Sequence, residues 1–234
     1  MSRVDPALLR DVLGEVREAI AAACVRSGRA RDAAELVIAG KYVGPDDVPA
    51  LIAAGVGVIG ENRLQDLQAK RAAPGGDGLV FDFIGHLQSR KVRDVVDEVR
   101  LIQSVDRESL LHAIGARATD RPRVLLQVNI AGETSKSGFA PEHLDVMLER
   151  AAELGVTVGG LMALPPPATD AEQSRPWFER VRAVRDELKE RWNPDHDLTD
   201  LSMGTSQDFV VAVEAGATIV RVGRGIIDRA RMEP

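Results

Sequence analysis

The stretch that decides the fold is Leu36-Val37-Ile38-Ala39-Gly40-Lys41, a short apolar run that ends in a glycine and a lysine. A run of this kind, bounded by turn residues, is typical of a strand that is buried on both faces. Similar runs recur along the chain and alternate with longer helical patterns, which indicates βαβ units and a parallel sheet. The candidate strands are Leu36–Gly40, Gly57–Gly60, Phe81–Gly85, Leu101–Ser104, Val124–Ile130, Thr157–Leu161, Leu198–Met203 and Thr218–Gly223.

The number of candidate strands favours a closed barrel. Eight strands with a helix in every gap predict an α/β protein, a single (β/α)8 TIM barrel domain over residues 1–234. An extra helix is expected before the first strand, over roughly Pro6 to Arg26. Gly55, Gly155 and Gly216 each follow a helical run, where a left-handed residue commonly ends a helix. An open, doubly wound sheet is the alternative that this pattern leaves open.

Composition and charge restrict the class of partner. The formal net charge of −6 argues against nucleic acid, since phosphate binding needs a concentrated basic surface. The sequence has no basic start followed by an apolar run and no apolar stretch of membrane-spanning length. We therefore expect a cytoplasmic protein that does not enter membranes. Cys24 is the only cysteine, and we predict that it is a core residue. The histidines do not have the spacing of metal ligands, so we predict no metal site.

Lys41 is the first candidate for chemistry. Ligands of such barrels meet the loops that follow the C-terminal ends of the strands, and Lys41 directly follows the first candidate strand. A desolvated lysine has a lowered pKa, which frees its amine to attack a carbonyl carbon. A strand-end lysine that extends into solvent is an equal alternative on position alone.

Two segments near the C-terminus predict a phosphate site. Ser202-Met203-Gly204-Thr205-Ser206 joins a strand to a helix expected to begin near Gln207, with Ser206 as its N-cap. Val220-Arg221-Val222-Gly223-Arg224-Gly225 closes strand eight with glycines that let the backbone approach a ligand. Loops after strands seven and eight are the usual phosphate position in these barrels. Alternatively, Ser206 only caps its helix and the glycines only turn the chain.

Two further strand ends are polar. Gly60-Glu61-Asn62-Arg63 follows strand two, where Asn62 either caps a helix or reaches a ligand. Gly85-His86-Leu87-Gln88-Ser89 follows strand three and places His86 at the same end of the barrel. Tyr42, the only tyrosine, directly follows Lys41.

These segments resemble the pyridoxal phosphate homeostasis protein family, the single-domain relatives of the alanine racemase N-terminal barrel. The Gly-His-Leu-Gln-Ser-x-Lys segment is highly specific. The matching segments span almost the whole chain in the right order: Val37–Lys41, Gly60–Asp66, Phe83–Lys91, Gln127–Ile130 with Lys136–Gly138, Gly160–Met162, Leu201–Gly204 and Val220–Gly223.

The resemblance implies a barrel of pyridoxal 5′-phosphate (PLP) fold type III that holds PLP as an aldimine on Lys41. It implies that Ser206 and the amides of Gly223 and Arg224 bind the phosphate, and that Arg221 faces the pyridine nitrogen. The complete set of expected cofactor-binding residues is Lys41, Asn62, His86, Ser202, Met203, Ser206, Arg221, Gly223 and Arg224.

The chain departs from the family at two places. The family commonly has Ser-Lys-Thr-Lys-Pro around the aldimine lysine, whereas this chain has Gly40-Lys41-Tyr42-Val43-Gly44. The second lysine of that pattern is therefore missing. Arg224 stands where a small hydroxyl residue is usual, so a backbone amide contact is retained there and a hydroxyl contact is not.

Three functions remain at this point. The resemblance favours a non-catalytic, monomeric PLP-binding protein that carries, delivers or buffers the cofactor, with PLP-dependent apo-enzymes as acceptors. A PLP-dependent amino-acid racemase is the alternative, but racemases bring a second base from an added domain, and this chain ends about ten residues after strand eight. A Schiff-base aldolase is the third, although Arg221 suits a pyridine nitrogen better than a sugar.

Overall fold

The computed structural model describes residues 3–117, 122–133 and 136–231. Eight parallel strands close into a barrel in the order in which they follow along the chain. The predicted (β/α)8 barrel is therefore confirmed, and the open sheet is excluded. The strands are β1 Glu35–Ala39, β2 Val58–Glu61, β3 Val80–Phe83, β4 Leu101–Val105, β5 Arg123–Val128, β6 Thr157–Ala163, β7 Asp200–Ser202 and β8 Ile219–Val222.

Helices cover the outside of the barrel, but one predicted helix is of a different type. The gap between β3 and β4 holds a 3₁₀ helix, Ser89–Asp94, instead of an α-helix. Its neighbourhood is rich in β-branched valine, which has a low helix propensity. The α-helices are α1 Pro6–Arg26, α2 Val48–Ala53, α3 Leu64–Arg71, α4 Glu108–Gly115, α5 Leu144–Glu153, α6 Arg175–Trp192, α7 Phe209–Glu214 and α8 Arg224–Ile227.

The extra N-terminal helix has the predicted bounds. Asp5 starts α1 by accepting hydrogen bonds from the amides of Ala7 and Leu8 through its side chain. The apolar face of α1 is buried against α7 and α8 and includes Cys24, which is a core residue as predicted. Gly55, Gly155 and Gly216 have φ values of +80°, +69° and +112°, which confirms the left-handed conformation expected there. Within the described residues, no helix has the length and apolar character needed to span a membrane.

Two separate apolar clusters build the core. The larger one fills the space between the strands and the helices. The smaller one contains alternate strand residues and fills the barrel interior: Val37, Val58, Leu101, Leu125, Met162 and Ile219. The interior also holds four buried polar side chains on β3, β4, β7 and β8, namely Asp82, Gln103, Ser202 and Arg221. The barrel interior is therefore partly polar, and its polar residues lead towards the C-terminal mouth.

Candidate functional site

A cavity of about 170 Å³ lies at the C-terminal mouth of the barrel. It brings together five of the nine residues that the sequence analysis named: Lys41, Asn62, Ser206, Arg221 and Gly223. The other lining residues are Ala39, Tyr42, Ile84, Met162, Leu164 and Thr205. An amine, an amide, hydroxyl groups and a guanidinium therefore meet in one small space with apolar walls, as in many cofactor sites.

Lys41 lies in the short 3₁₀ turn Gly40–Tyr42 that follows β1. Its side chain lines the cavity, but the residue is exposed at the mouth. Of the two alternatives that its position left open, the exposure of Lys41 agrees with a side chain that extends towards solvent, while the residue still lines the cavity. Its Nζ lies 5.0 Å from the centre of the Tyr42 ring, a cation–π distance. The amine is thus accessible and oriented by an aromatic neighbour.

A buried ion pair explains why glycine precedes Lys41. Lys70 Nζ lies 2.8 Å from Glu61 Oε1, and both side chains are almost completely buried. Burial raises the pKa of the Glu61 carboxyl, an effect that Lys70 opposes. A methyl group at Gly40 would approach the Glu61 carboxyl carbon to 2.6 Å, far inside contact distance. The serine that the family commonly has here would therefore clash with this pair.

Asn62 does not cap a helix. Arg63 occupies the N-cap position of α3 and forms no side-chain cap, so the capping alternative for Asn62 is wrong. Asn62 lines the cavity, and its Oδ1 atom is buried without a hydrogen-bond partner among the described residues. A buried unpaired acceptor is costly, and such an atom commonly marks a ligand-binding position.

Ser206 has a different role from the predicted N-cap. α7 begins at Phe209, two residues later than expected, and Asp208 holds the N-cap position and accepts a 2.7 Å hydrogen bond from the Thr205 amide. Ser206 Oγ instead accepts hydrogen bonds from the amides of Gly223, at 3.3 Å, and Gly225, at 3.2 Å. The side chain therefore joins the loop after β7 to the start of α8. Asp208 takes the N-cap position of α7 without a side-chain hydrogen bond to the helix.

Arg221 points from β8 into the barrel and is buried. It donates to Ser202 Oγ and, at 3.0 Å, to the carbonyl oxygen of Ala163. Burial lowers the pKa of its guanidinium to about 10, an effect that the carboxylate of Asp208 opposes. The group is still protonated near neutral pH. Ser202 and Ala163 accept from two of its five N–H donors, and the side chain lines the cavity.

The structure places four named residues outside the cavity lining. Ser202 lies one layer below it, behind Arg221. The His86 ring is 59% exposed, with Nδ1 3.0 Å from Asp106 Oδ2. Met203 is fully buried in the core between the strands and the helices. The exposed Arg224 guanidinium lies 5.7 Å from the centre of the Tyr42 ring, so it extends towards the rim of the mouth.

The sequence analysis missed two residues behind the site. Asp82 and Gln103 are completely buried in the barrel interior and continue from Ser202 away from the cavity. A polar residue within an apolar strand run was the available signal for both, in Val-Phe-Asp-Phe and in Leu-Ile-Gln-Ser. Tyr42 was noticed only as a neighbour of Lys41, whereas its ring forms part of the cavity wall.

The site and the fold together define a class of protein. An accessible lysine after the first strand, a buried arginine on the last strand and glycine amides beside it converge at the mouth of a (β/α)8 barrel. This is a barrel of PLP fold type III.

Comparison with known proteins narrows the class to one family. The chain is 42% identical over 215 residues to the pyridoxal phosphate homeostasis protein of Aquifex aeolicus, which covers 90% of this chain and 93% of that protein. The structure of PipY from Synechococcus elongatus with PLP bound matches with a TM-score of 0.80 and 29% identity, over 94% of this chain and 99% of that one. This chain belongs to the pyridoxal phosphate homeostasis protein family.

A more distant structure agrees in fold alone. Lysine/ornithine decarboxylase from Vibrio vulnificus, complexed with putrescine, matches with a TM-score of 0.69 and 18% identity. The match covers 97% of this chain and 63% of the decarboxylase. No protein-family model matches the chain.

Proposed function

We propose that this protein binds PLP covalently through Lys41 and carries, delivers or buffers the cofactor without turning over a substrate. We further propose that residues 1–234 act as one monomeric domain in the cytoplasm, with PLP-dependent apo-enzymes as acceptors. One observation carries the proposal: the amine of Lys41, the guanidinium of Arg221 and the Ser206–Gly223 hydrogen bond surround a single cavity.

The residues around the cavity fit the functional groups of PLP. When bound, PLP supplies an aldehyde that condenses reversibly with a primary amine. Lys41 offers that amine at the mouth, and Arg221 offers N–H donors to the ring nitrogen. Ser206 suits a phosphate, because its hydroxyl accepts from the amides of Gly223 and Gly225 and keeps its own proton to donate to an anion; an amide that turned from Ser206 to the phosphate would add a second donor. His86 lies outside the cavity lining, so it would affect the cofactor without direct contact from the position that it has here.

Glycine at position 223 keeps the phosphate side of the cavity open. A methyl group there would come to 2.5 Å from Tyr42 Cδ2 and 2.9 Å from the Cβ atom of Ala39. The Tyr42 ring would then have to leave its place in the cavity wall. A residue without a side chain lets the backbone amide reach the cavity while Tyr42 stays in the wall.

Arg221 gives a physical reason for low turnover. A protonated guanidinium only donates hydrogen bonds, so it would keep the ring nitrogen of the cofactor unprotonated. A ring nitrogen without its proton withdraws electrons less strongly than a pyridinium, which an aspartate at this position would favour. The residue therefore suits reversible binding better than carbanion chemistry.

Tyr42 is the observation that favours the racemase-like alternative. Its phenol is the titratable group beside Lys41 in the cavity wall. Both residues come from the same turn after β1, whereas a two-base racemase needs its bases on opposite faces. Incubation of the PLP-loaded protein with L-amino acids in deuterated water tests the alternative. Rapid exchange of the α-proton that disappears in Tyr42→Phe would establish an enzyme.

Reductive trapping tests the proposed attachment. Purified protein is mixed with PLP, reduced with borohydride, digested and analysed by mass spectrometry, and we expect the pyridoxyl group on Lys41. Lys41→Ala should lose the adduct and the yellow colour. Lys136→Ala is the matched control, because Lys136 is a partly exposed lysine held by Glu133 and the Pro165 carbonyl. An adduct on Lys91 or Lys136 in the wild-type protein would contradict the proposal.

A further inference from the structure

A column of polar side chains crosses the barrel interior from the mouth to the opposite end. Below Arg221, the hydroxyl of Ser202 donates to Gln103 Oε1 at 2.6 Å. Gln103 Nε2 donates to Asp82 Oδ2 at 2.7 Å, and both side chains are completely buried. Arg100 closes the column at the base, where it binds Asp82 and Glu35.

From Arg221 down to Asp82 the hydrogen bonds of the column all run in one direction, and Arg100 donates to Asp82 from the opposite side. An ionised Asp82 only accepts, so it fixes the amide nitrogen of Gln103 towards itself and the amide oxygen towards Ser202. That oxygen takes the hydroxyl proton of Ser202, and the lone pairs of Ser202 then face Arg221. Reversal of any one bond would leave two donors or two acceptors facing each other in a buried space, which is costly.

We propose that Gln103 and Asp82 are positioning residues for the cofactor: they hold the Ser202 hydroxyl as an acceptor for Arg221. Ser202 and the Ala163 carbonyl then hold the guanidinium in place, and the side chain lines the cavity. The inference rests on the proposed binding of PLP at that cavity. Gln103 and Asp82 both lie outside the cavity lining, so they would act on the cofactor only through Ser202 and Arg221.

Charge alternates along the column. Arg221 at the mouth is followed by Asp82, then by Arg100, then by Glu35 at the base. Two neutral groups, Ser202 and Gln103, separate Asp82 from Arg221, so Asp82 acts on Arg221 through the hydrogen bonds of the column. Arg123 and Asp200 form a neighbouring pair at the base, and Asp208 acts on Arg221 from the mouth.

Gln103→Glu tests the direction of the column. With its carboxyl protonated, this variant can donate to Asp82 and accept from Ser202 as the amide does. When it ionises, two carboxylates face each other at hydrogen-bond distance, and such a pair retains one proton with a raised pKa. Arg100 and Arg221 oppose that rise from below and above. We expect the absorbance of the lysine-bound cofactor to change with pH in the variant, within roughly pH 6 to 9, and to lack that transition in the wild type.

Two further variants complete the test. Gln127→Glu is the matched control, because Gln127 lies on β5 outside the column and donates to the Ser137 carbonyl; it should show the wild-type pH profile. Gln103→Met interrupts the column without adding a charge. It should weaken PLP binding about two- to tenfold with no new pH transition. If Gln103→Glu fails to fold, the Gln103→Met affinity decides. A wild-type spectrum and affinity in the folded Gln103 variants overturns the proposal.

A measurement without PLP separates this inference from the proposed function. The guanidinium ¹H–¹⁵N resonances of Arg221 should move with pH in cofactor-free Gln103→Glu and stay constant in cofactor-free wild type. If PLP fails to bind but these resonances titrate, the proposed function is wrong and the column is established. If PLP binds and the resonances of both proteins behave alike, the column inference is wrong and the binding site stands.

Discussion

The two ends of the barrel each hold an arginine, and the two are paired in opposite ways. At the base, Arg100 binds the carboxylates of Asp82 and Glu35 at 2.7 and 2.8 Å, and these raise its pKa. At the mouth, Arg221 donates to a hydroxyl and a carbonyl, and burial lowers its pKa to about 10.

The difference separates a structural end from a binding end. Carboxylates complete the coordination of Arg100, so little of its binding capacity remains for a ligand. The neutral partners of Arg221 hold its position without neutralising its charge, which leaves donors and charge for a ligand in the cavity. Mutations at the base should therefore change stability, and mutations at the mouth should change cofactor binding.

The largest expected effect is at the base. Arg100→Ala leaves the completely buried Asp82 without its cation, and loss of one partner of a buried pair costs about 3–5 kcal/mol. We expect the free energy of unfolding to fall by about 3 kcal/mol, at the lower end of this range, because Arg100 is itself partly exposed. Urea denaturation measures it. Arg71→Ala is the control, since its pair with Glu98 lies at the surface and should contribute at most about 1 kcal/mol.

The same variant should be less destabilised in acid. Burial raises the pKa of Asp82 above its ordinary value, and removal of Arg100 deletes a contact that lowers it. The folded state then binds the proton more tightly than the unfolded state, so the free energy of unfolding falls as pH rises through the raised pKa. The difference between wild type and Arg100→Ala should therefore shrink as pH falls through that pKa. A constant difference would contradict the role of an unpaired Asp82.

At the mouth, Arg221→Met should affect binding more than folding. The variant removes the donor from the Ser202 hydroxyl and the Ala163 carbonyl, and we expect this to lower the free energy of unfolding by about 1 kcal/mol, less than in Arg100→Ala. Loss of a charged hydrogen bond to the ring nitrogen, worth about 1.5–3 kcal/mol, should weaken PLP binding by about ten- to a hundredfold. Spectroscopic titration with PLP and urea denaturation measure the two effects. A large loss of stability with unchanged affinity would reverse the comparison between the two ends.

Ser206→Ala should have a smaller effect at the same end. The hydroxyl joins the loops after β7 and β8 and is proposed to contact the phosphate, so we expect several-fold weaker PLP binding. Pyridoxal, which lacks the phosphate, should bind the variant and the wild type alike. Ser27→Ala, at the end of α1, is the control and should leave both affinities unchanged. Equal PLP affinity in Ser206→Ala would place the phosphate elsewhere.

The smallest expected effect concerns Tyr42. Its ring lies near both Lys41 and Arg224, and a cation–π contact at an exposed site is worth about 0.5–1 kcal/mol. Tyr42→Thr, which restores the residue common in the family, should release PLP about two- to fivefold faster. Tyr42→Phe keeps the ring and should release it at the wild-type rate. Stopped-flow transfer of PLP to an apo-enzyme measures the rates, and a Tyr42→Phe variant that releases PLP as fast as Tyr42→Thr would assign the effect to the hydroxyl instead.

The sequence by itself determined the barrel and the position of its lysine. Alternation of buried strand runs with helical runs is a local property, and the eight predicted strands correspond to β1–β8. Because the C-terminal ends of parallel strands meet at one end of a barrel, Lys41 is predicted at the mouth from its place after the first strand, and the family resemblance adds Arg221. Both line the cavity.

Only the tertiary structure decided which partner each polar group takes. Ser206 and Asn62 are suitable helix caps by residue type, but Ser206 binds the amides of Gly223 and Gly225, and Asn62 faces the cavity. With Ala163 included, the column from Arg221 to Arg100 joins residues of five strands. These residues are far apart in the sequence. Hydrogen bonds depend on distances of a few tenths of an ångström, which barrel closure sets. Strand periodicity carries no such information, because it reports only which face of a strand is buried.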